Sequence, residues 1–203
     1  MNFEIFQWIN DLAGRSSFLD RGMIFITNSV PYVVIAFMLF LWFTAKKEKR
    51  AEKQYTAIYI VFSCLLGLSI NAILHLFYYH PRPFVAHHVH QLIPHPADSS
   101  FVSDHSVLVF SIACTLLLRN DSWKYPVLVW AIIVGISRVF VGVHYPADVI
   151  GGALVSYGTS ILVMQFSQKL EPLVQVVFSL YRKVTEHIPF LAKYSHKDLS
   201  PER

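Results

Sequence analysis

The sequence predicts an all-α fold, a polytopic membrane helical bundle with about five transmembrane helices and an N-terminal interfacial helix. Hydrophobic residues make up 54% of the 203 residues, and charged residues only 15%. Three long runs, residues 22–45, 54–81 and 149–168, contain no Asp, Glu, Lys or Arg. Each run provides the ~20 apolar residues that a helix needs to cross a hydrocarbon core. These runs are the first, second and fifth predicted spans.

The N-terminal segment NFEIFQWINDLAG predicts a helix that lies in the membrane interface. Apolar side chains recur there at helical spacing, at Phe3, Phe6, Ile9 and Leu12, which is typical of an amphipathic interfacial helix. The segment has neither a basic start nor a small-residue cleavage site, so we do not expect a removable signal peptide.

Two shorter apolar segments, residues 106–118 and 125–143, predict the third and fourth spans. At roughly 1.5 Å per residue the first of them would rise only about 20 Å as a helix, so it should begin upstream or be recessed. The second contains Arg138. A loop that holds six of the ten histidines, residues 80–105, precedes the third span, and we expect it to dip into the membrane region.

The distribution of basic residues predicts the orientation. Residues 46–53, 119–124 and 169–203 together carry 13 of the 17 Lys and Arg, and such segments face the cytoplasm. The His-rich loop then faces outward. Residues 171–184 predict a cytoplasmic amphipathic helix.

The basic pI of about 9.1 is explained by this orientation and by attraction to anionic membrane lipids, which are one expected partner. No zinc-finger, RNP-like or basic-aromatic pattern occurs, so nucleic acid is not an expected partner, and the sequence indicates no protein partner. Cys64 and Cys114 fall inside predicted spans, where we expect buried free thiols rather than a disulfide or metal site.

This topology brings three polar clusters to the outward surface. Ionisable groups in or beside spans are costly and usually face a shared cavity. We therefore predict one site, built from His75, Arg82, Ser103, Asp104, His105, Ser137, Arg138, His144 and Asp148.

The two arginines indicate a phosphate ligand. Arg138 lies within an otherwise apolar segment, a costly place for a cation without an anionic partner. Paired guanidinium groups hold phosphate with several hydrogen bonds. The alternative for Arg82 alone is an interfacial side chain that reaches lipid phosphate.

The histidines indicate phosphoryl transfer. Asp148, four residues after His144, can accept a hydrogen bond from one imidazole nitrogen, which fixes the tautomer and leaves the other nitrogen free to attack, although a purely structural hydrogen bond is the alternative. His105 follows Ser103 at a helix start that favours anions, and it can give a proton to a leaving oxygen; a capping or loop histidine is the alternative.

The order of these residues resembles the type 2 phosphatidic acid phosphatase family, whose pattern is K-x6-R-P, then P-S-G-H, then S-R-x5-H-x3-D. The third motif matches at every defined position, Ser137, Arg138, His144 and Asp148. The resemblance covers roughly residues 70–150.

The resemblance implies a phosphatase without metal or cofactor. The predicted spans and tail divide the chain into a membrane-embedded phosphatase domain, residues 1–170, and a cytoplasmic amphipathic helix and tail, residues 171–203. It implies that His144 attacks phosphorus and forms a phosphohistidine, that Asp148 orients it, and that His105 protonates the leaving group. The positions that surround the phosphoryl oxygens correspond to Arg82, Arg138, Ser103 and Ser137.

Three positions depart from the family pattern. His75 replaces the Lys, so one phosphate contact is weaker or requires a protonated imidazole. Val102 replaces the Pro, which relaxes the loop. Asp104 replaces the Gly, and it is either a helix N-cap or a carboxylate that keeps His105 charged.

The Ser-Asp-His form, together with YYHPRPFVAHHVH and LIPH, resembles the bacitracin-resistance branch, which are undecaprenyl diphosphatases. This implies a polyprenyl diphosphate substrate, hydrolysed at the outer face of the bacterial plasma membrane to recycle the cell-wall lipid carrier. Bacitracin sequesters the same lipid, so the enzyme would protect against it.

Two alternatives remain at this stage. One is the same chemistry on phosphatidylglycerophosphate or phosphatidic acid, since the motifs specify phosphate more tightly than the lipid. The other is a metal-binding membrane protein that uses His87, His88, His90 and His95. The HHVH run contains no acidic residue and no Cys, which disfavours a metal-binding protein.

Overall fold

The computed structural model describes residues 1–185 and Tyr194, and it confirms the predicted all-α class, with no strand among those residues. The helices are α1 (Asn2–Asn10), α2 (Ser17–Phe43), α3 (Arg50–Phe77), α4 (Pro83–Ala86), α5 (Asp104–Leu118), α6 (Lys124–Phe140), α7 (Pro146–Gln165) and α8 (Ser167–Thr185), with a 3-10 turn at Lys47–Lys49.

In the described part of the chain, three helical segments are long and apolar enough to cross a membrane: Ser17–Phe43, Lys47–Phe77 and Pro146–Gln165. Each segment contains most of one charge-free run, so this is a membrane-type bundle. The helix of the third predicted span, α5, is shorter and begins only two residues before the predicted segment. The number of spans stays a prediction.

Prolines and caps set the helix ends nearest the site. The α3 helix ends at Phe77, before Pro81 and Pro83, because proline has no N–H to continue a helix and restricts the residue before it. At the start of α5 the Ser103 hydroxyl accepts a hydrogen bond from the Ser106 N–H. Pro146 is the first residue of α7.

The α5 helix is central and packs on α3, α6 and α7. Small residues permit close approach: a Cβ at Gly152 would lie 2.8 Å from the Ser106 Cβ and 3.1 Å from the Ser103 carbonyl oxygen. Hydroxyls join the helices, as in the 2.8 Å bond from Ser156 Oγ to the Val107 carbonyl. This tight α5–α7 contact holds the start of α5 against the start of α7.

The helix α1 packs on α6 and α7 with Phe6 buried, while Trp8 and Ile5 are exposed. The amphipathic helix predicted for residues 171–184 lies within α8, which buries Val174 and Phe178. The cytoplasmic placement of α8 and the domain boundary at residue 170 stay predictions, and residues 186–193 and 195–203 of the tail lie outside the described residues.

The predicted thiols are confirmed as buried and free: neither Cys64 nor Cys114 forms a disulfide. Cys64 belongs to the main apolar core cluster between α2, α3, α5 and α6. This core therefore lies toward the end of the bundle away from the His-rich loop.

Candidate active site

The turn between α6 and α7 presents the predicted nucleophile. The α6 helix ends at Phe140, and Gly142 follows with φ +82°, a left-handed conformation that favours glycine. A Cβ there would also lie 2.6 Å from the His90 carbonyl oxygen. Both constraints require glycine, and the sharp turn leads directly into His144.

His144 is 2% exposed, and its two ring nitrogens have different partners. Nδ1 lies 2.9 Å from the Ser100 carbonyl oxygen and 3.5 Å from Asp148 Oδ2. A carbonyl only accepts, so Nδ1 carries the proton and Nε2 carries the lone pair. Burial lowers the pKa of His144, and Arg138 and Arg82 lower it further against the opposing effect of Asp148. The ring is therefore neutral and nucleophilic at pH 7.

The structure brings Asp148 to His144 as predicted, but Ser100 is closer. Asp148 is fully buried; its Oδ2 accepts from the Tyr145 N–H at 2.8 Å, while its Oδ1 has no hydrogen-bond partner. His80 Nδ1 lies 3.8 Å from that Oδ1 and 2.8 Å from Ser100 Oγ. His80 thus fixes the segment whose carbonyl holds the nucleophile. Sequence reasoning missed both His80 and Ser100.

Arg82 is buried, and each of its three side-chain nitrogens donates a hydrogen bond to another group of the protein. Nε donates to Asp98 Oδ1 at 2.7 Å, Nη1 to the Val143 carbonyl at 2.9 Å, and Nη2 to the Ser99 carbonyl at 3.3 Å. Nη1 also lies 3.1 Å from His144 Nε2. Arg82 therefore braces the loop before the nucleophile and lies beside the attacking nitrogen, where a phosphoryl oxygen would lie.

Arg138 is 2% exposed and only partly satisfied. Nη1 donates to Thr27 Oγ1 of α2 at 2.7 Å, whereas Nε and Nη2 are buried without any hydrogen-bond partner. Buried donors without partners are costly, so native structures rarely retain them without a function. Two free donors on a cation are the arrangement that an anion completes.

The start of α5 carries the next three predicted residues. Ser103 is buried and is the N-cap, so the interpretation of Asp104 as the N-cap is wrong. Asp104 is exposed and accepts from Asn71 Nδ2 at 2.7 Å. His105 is partly buried and near enough to Arg138, His144 and Arg82 for their charges to act on its ring. Both arginines therefore act on His105 electrostatically, while none of the hydrogen bonds, ion pairs or ring contacts in the described residues joins it to His144.

The last two predicted residues, Ser137 and His75, form no hydrogen bond to the other predicted site residues within the described part of the chain. Ser137 Oγ donates to the Val134 carbonyl of its own helix at 2.7 Å, so it can only accept further hydrogen bonds. His75 lies one turn after Asn71 in α3, and its buried Nε2 has no partner. None of the hydrogen bonds or ion pairs in the described residues joins His75 to the other site residues.

The loop histidines have separate partners. His87 stacks on Phe3 with ring centroids 3.9 Å apart, and the backbone of His90 is held by the Asn10 side chain. His95 packs edge-on against His144. Within residues 1–185, no three His, Cys, Asp or Glu side chains group as metal ligands do. The geometry gives the metal-binding alternative no support.

Comparison with known proteins identifies the family. Residues 56–172 match the PAP2 superfamily. The chain belongs to the PAP2 superfamily. The match begins in α3 and ends in α8, so it includes all the residues predicted for the site, while α1 and α2 precede it. Thr27, whose hydroxyl accepts a hydrogen bond from Arg138, therefore lies outside the matched segment.

Two relatives span nearly the whole chain. The chain is 39% identical to "Undecaprenyl-diphosphatase BcrC" of Bacillus subtilis over 91% of this chain and 93% of that protein. It is 36% identical to "Bacitracin transport permease protein BcrC" of Bacillus licheniformis over 93% of this chain and 91% of that protein. Among solved structures, Aquifex aeolicus LpxE superposes with a TM-score of 0.67 at 28% identity, covering 81% of this chain and 94% of that one. These matches confirm the resemblance seen in the motifs.

Proposed function

We propose that this protein is an undecaprenyl diphosphatase, which hydrolyses undecaprenyl diphosphate to undecaprenyl phosphate and inorganic phosphate. The observation that carries the proposal is the pair formed by a neutral, buried His144 and the partly unsatisfied Arg138. A nucleophilic nitrogen beside buried cationic donors suits phosphoryl transfer, which depends mainly on positioning and electrostatic stabilisation. The relative from Bacillus subtilis carries this activity in its name.

The first half of the reaction uses His144 and His105. The Nε2 lone pair of His144 bonds to the terminal phosphorus while the bridging P–O bond breaks. The negative charge of the bound diphosphate favours the imidazolium form of His105. The bond electrons leave with undecaprenyl phosphate, which takes a proton from that imidazolium. Arg82 and Arg138 donate to the phosphoryl oxygens as charge develops. The Ser100 carbonyl and Asp148 stabilise the charged ring through Nδ1.

The second half returns the enzyme to its resting state. Water attacks the phosphohistidine and gives a proton to His105, the N–P bond breaks, and inorganic phosphate leaves. His144 regains its lone pair, and His105 regains its proton. The described residues supply each of these groups themselves, so we propose that the cycle runs without a metal or other cofactor.

The site lies at the outer face of the bacterial plasma membrane in this proposal, and the protein crosses the bilayer several times. The concentration of Lys and Arg in residues 46–53 and 119–124, at the opposite end of the bundle, supports this orientation. A lipid diphosphate then reaches the site laterally, with its chain in the bilayer. Hydrolysis there removes the lipid that bacitracin sequesters, which fits the bacitracin name of the second relative.

The test compares phosphate release by the purified enzyme from undecaprenyl diphosphate and from phosphatidylglycerophosphate, each with and without EDTA. We expect the diphosphate to be preferred and EDTA to have no effect. A preference for phosphatidylglycerophosphate would move the assignment to a lipid monophosphate phosphatase. Loss of activity in EDTA that zinc restores would overturn the metal-free mechanism.

A further inference from the structure

A cavity of about 410 Å³ opens beside the catalytic residues, and its lining is amphipathic. Its walls come from α4 and the loop after it: Phe84, Gln91, Leu92, Ile93, Pro94 and His95. The loop is anchored to the nucleophile turn, because the Leu92 N–H donates to the Val141 carbonyl at 3.1 Å. The cavity is therefore fixed relative to His144.

His95 joins this cavity to the reaction site. Its ring lies 6.1 Å from the His144 ring, centroid to centroid, at 76°. The charges of Arg82, Arg138 and Asp98 also act on its ring, and His95 in turn acts on His105, the predicted leaving-group acid. His95 thus lies near the group that protonates the leaving oxygen, and it also lines the open cavity.

We propose that this cavity binds the lipid-side phosphate and the first isoprenoid carbons of the diphosphate, with His95 contacting that phosphate. This inference rests on the proposed function. The leaving group of a lipid diphosphate is itself a phosphate, attached to hydrocarbon, and it lies just beyond the acid His105. His95 and Gln91 provide polar contacts, while Phe84, Leu92 and Ile93 provide an apolar wall. A lipid monophosphate has no second phosphate to place against His95.

The state of the His95 ring is consistent with such a contact. In the free enzyme Nδ1 lies 3.2 Å from the Pro96 carbonyl oxygen, and in the described residues Nε2 has no hydrogen bond. Burial lowers the pKa of His95, with Arg82 adding to the effect, so the free ring is neutral. A bound diphosphate adds negative charge that favours the imidazolium, whose second N–H then donates to the phosphate.

The test uses two substrates with the same tail, farnesyl diphosphate and farnesyl monophosphate, and measures kcat/KM for each. In His95→Ala we expect the ratio of diphosphate to monophosphate kcat/KM to fall about 10-fold to 100-fold, the range for a hydrogen bond to a charged group. His95→Gln should recover part of the ratio, because its amide keeps a donor. His88→Ala, an exposed histidine of the same loop, is the matched control and should leave the ratio unchanged.

Inhibition gives a second readout. The inhibition constant of inorganic pyrophosphate should rise about 10-fold in His95→Ala, and that of inorganic phosphate should stay within about twofold. Equal loss on both substrates, or an unchanged ratio in an active variant, would overturn the subsite alone. A wild-type enzyme that hydrolyses neither undecaprenyl diphosphate nor farnesyl diphosphate would instead overturn the proposed function.

Discussion

Replacing Arg138 by Met tests whether its unpartnered donors serve the phosphate. Two buried nitrogens, Nε and Nη2, have no hydrogen bond, and a third donates to Thr27. If each free donor forms one charged hydrogen bond to a phosphoryl oxygen in the transition state, each contributes about 1.5 to 3 kcal/mol. Together they contribute about 3 to 6 kcal/mol, so we expect kcat/KM to fall about 100-fold to 10,000-fold.

The same substitution should raise the stability of the fold or leave it unchanged. Each buried donor without a partner costs about 1 to 3 kcal/mol in the free enzyme. Met removes those donors and keeps an unbranched apolar chain, at the loss of one hydrogen bond to Thr27. We therefore expect the Tm of Arg138→Met in detergent to equal or exceed the wild-type value.

Arg119 provides a matched control, because it is an arginine at the other end of the bundle with its contacts in place. Its Nε donates to Thr56 Oγ1 at 2.7 Å, and its guanidinium lies 5.3 Å from the Tyr59 ring centroid. Arg119→Met should lower the Tm and keep the wild-type kcat/KM. A kcat/KM of Arg138→Met near the wild-type value would refute the phosphate role of Arg138. A joint loss of Tm and activity, as expected for a structural residue, would also refute it.

Three further predictions concern the other site residues. His144→Ala should abolish both phosphate release and the labelling of the enzyme by terminally labelled substrate while the protein remains folded, and turnover in that variant would exclude His144 as the nucleophile. The kcat/KM of the wild-type enzyme should fall as pH drops through the pKa of His144, which burial lowers to about 4. Asp148 raises that pKa, so Asp148→Asn should move the acid limb to lower pH, and a shift to higher pH would contradict the assignment. In His75→Lys, kcat/KM should stay high up to a higher pH than in the wild type, because an ammonium keeps its charge where an imidazole loses its proton. An unchanged alkaline limb would place His75 outside the phosphate site.

The sequence predicted the helices and the charged side chains of the site because both depend on residue type. Runs without charged residues mark long apolar helices, and a catalytic imidazole or guanidinium has no substitute of another type. The Ser100 carbonyl could not be predicted in this way, because every residue has a carbonyl and only the folded loop brings this one to His144 Nδ1. Thr27 was missed for a related reason: it lies 111 residues before Arg138 in an ordinary apolar helix.

The two arginines differ in a way that composition cannot predict, and the difference indicates an order of events. Arg82 already donates to Asp98 and to two backbone carbonyls, and its Nη1 lies against His144 Nε2, so few of its N–H groups remain for an incoming phosphate. Of its acceptors, the carboxylate of Asp98 is the most exposed. Arg138 has free donors, so it gains hydrogen bonds without losing any. We therefore expect a ground-state phosphate to gain most from Arg138. We expect Arg82, beside His144 Nε2, to contribute most when the phosphoryl group moves to that nitrogen, as the arginine whose contact with phosphate grows toward the transition state.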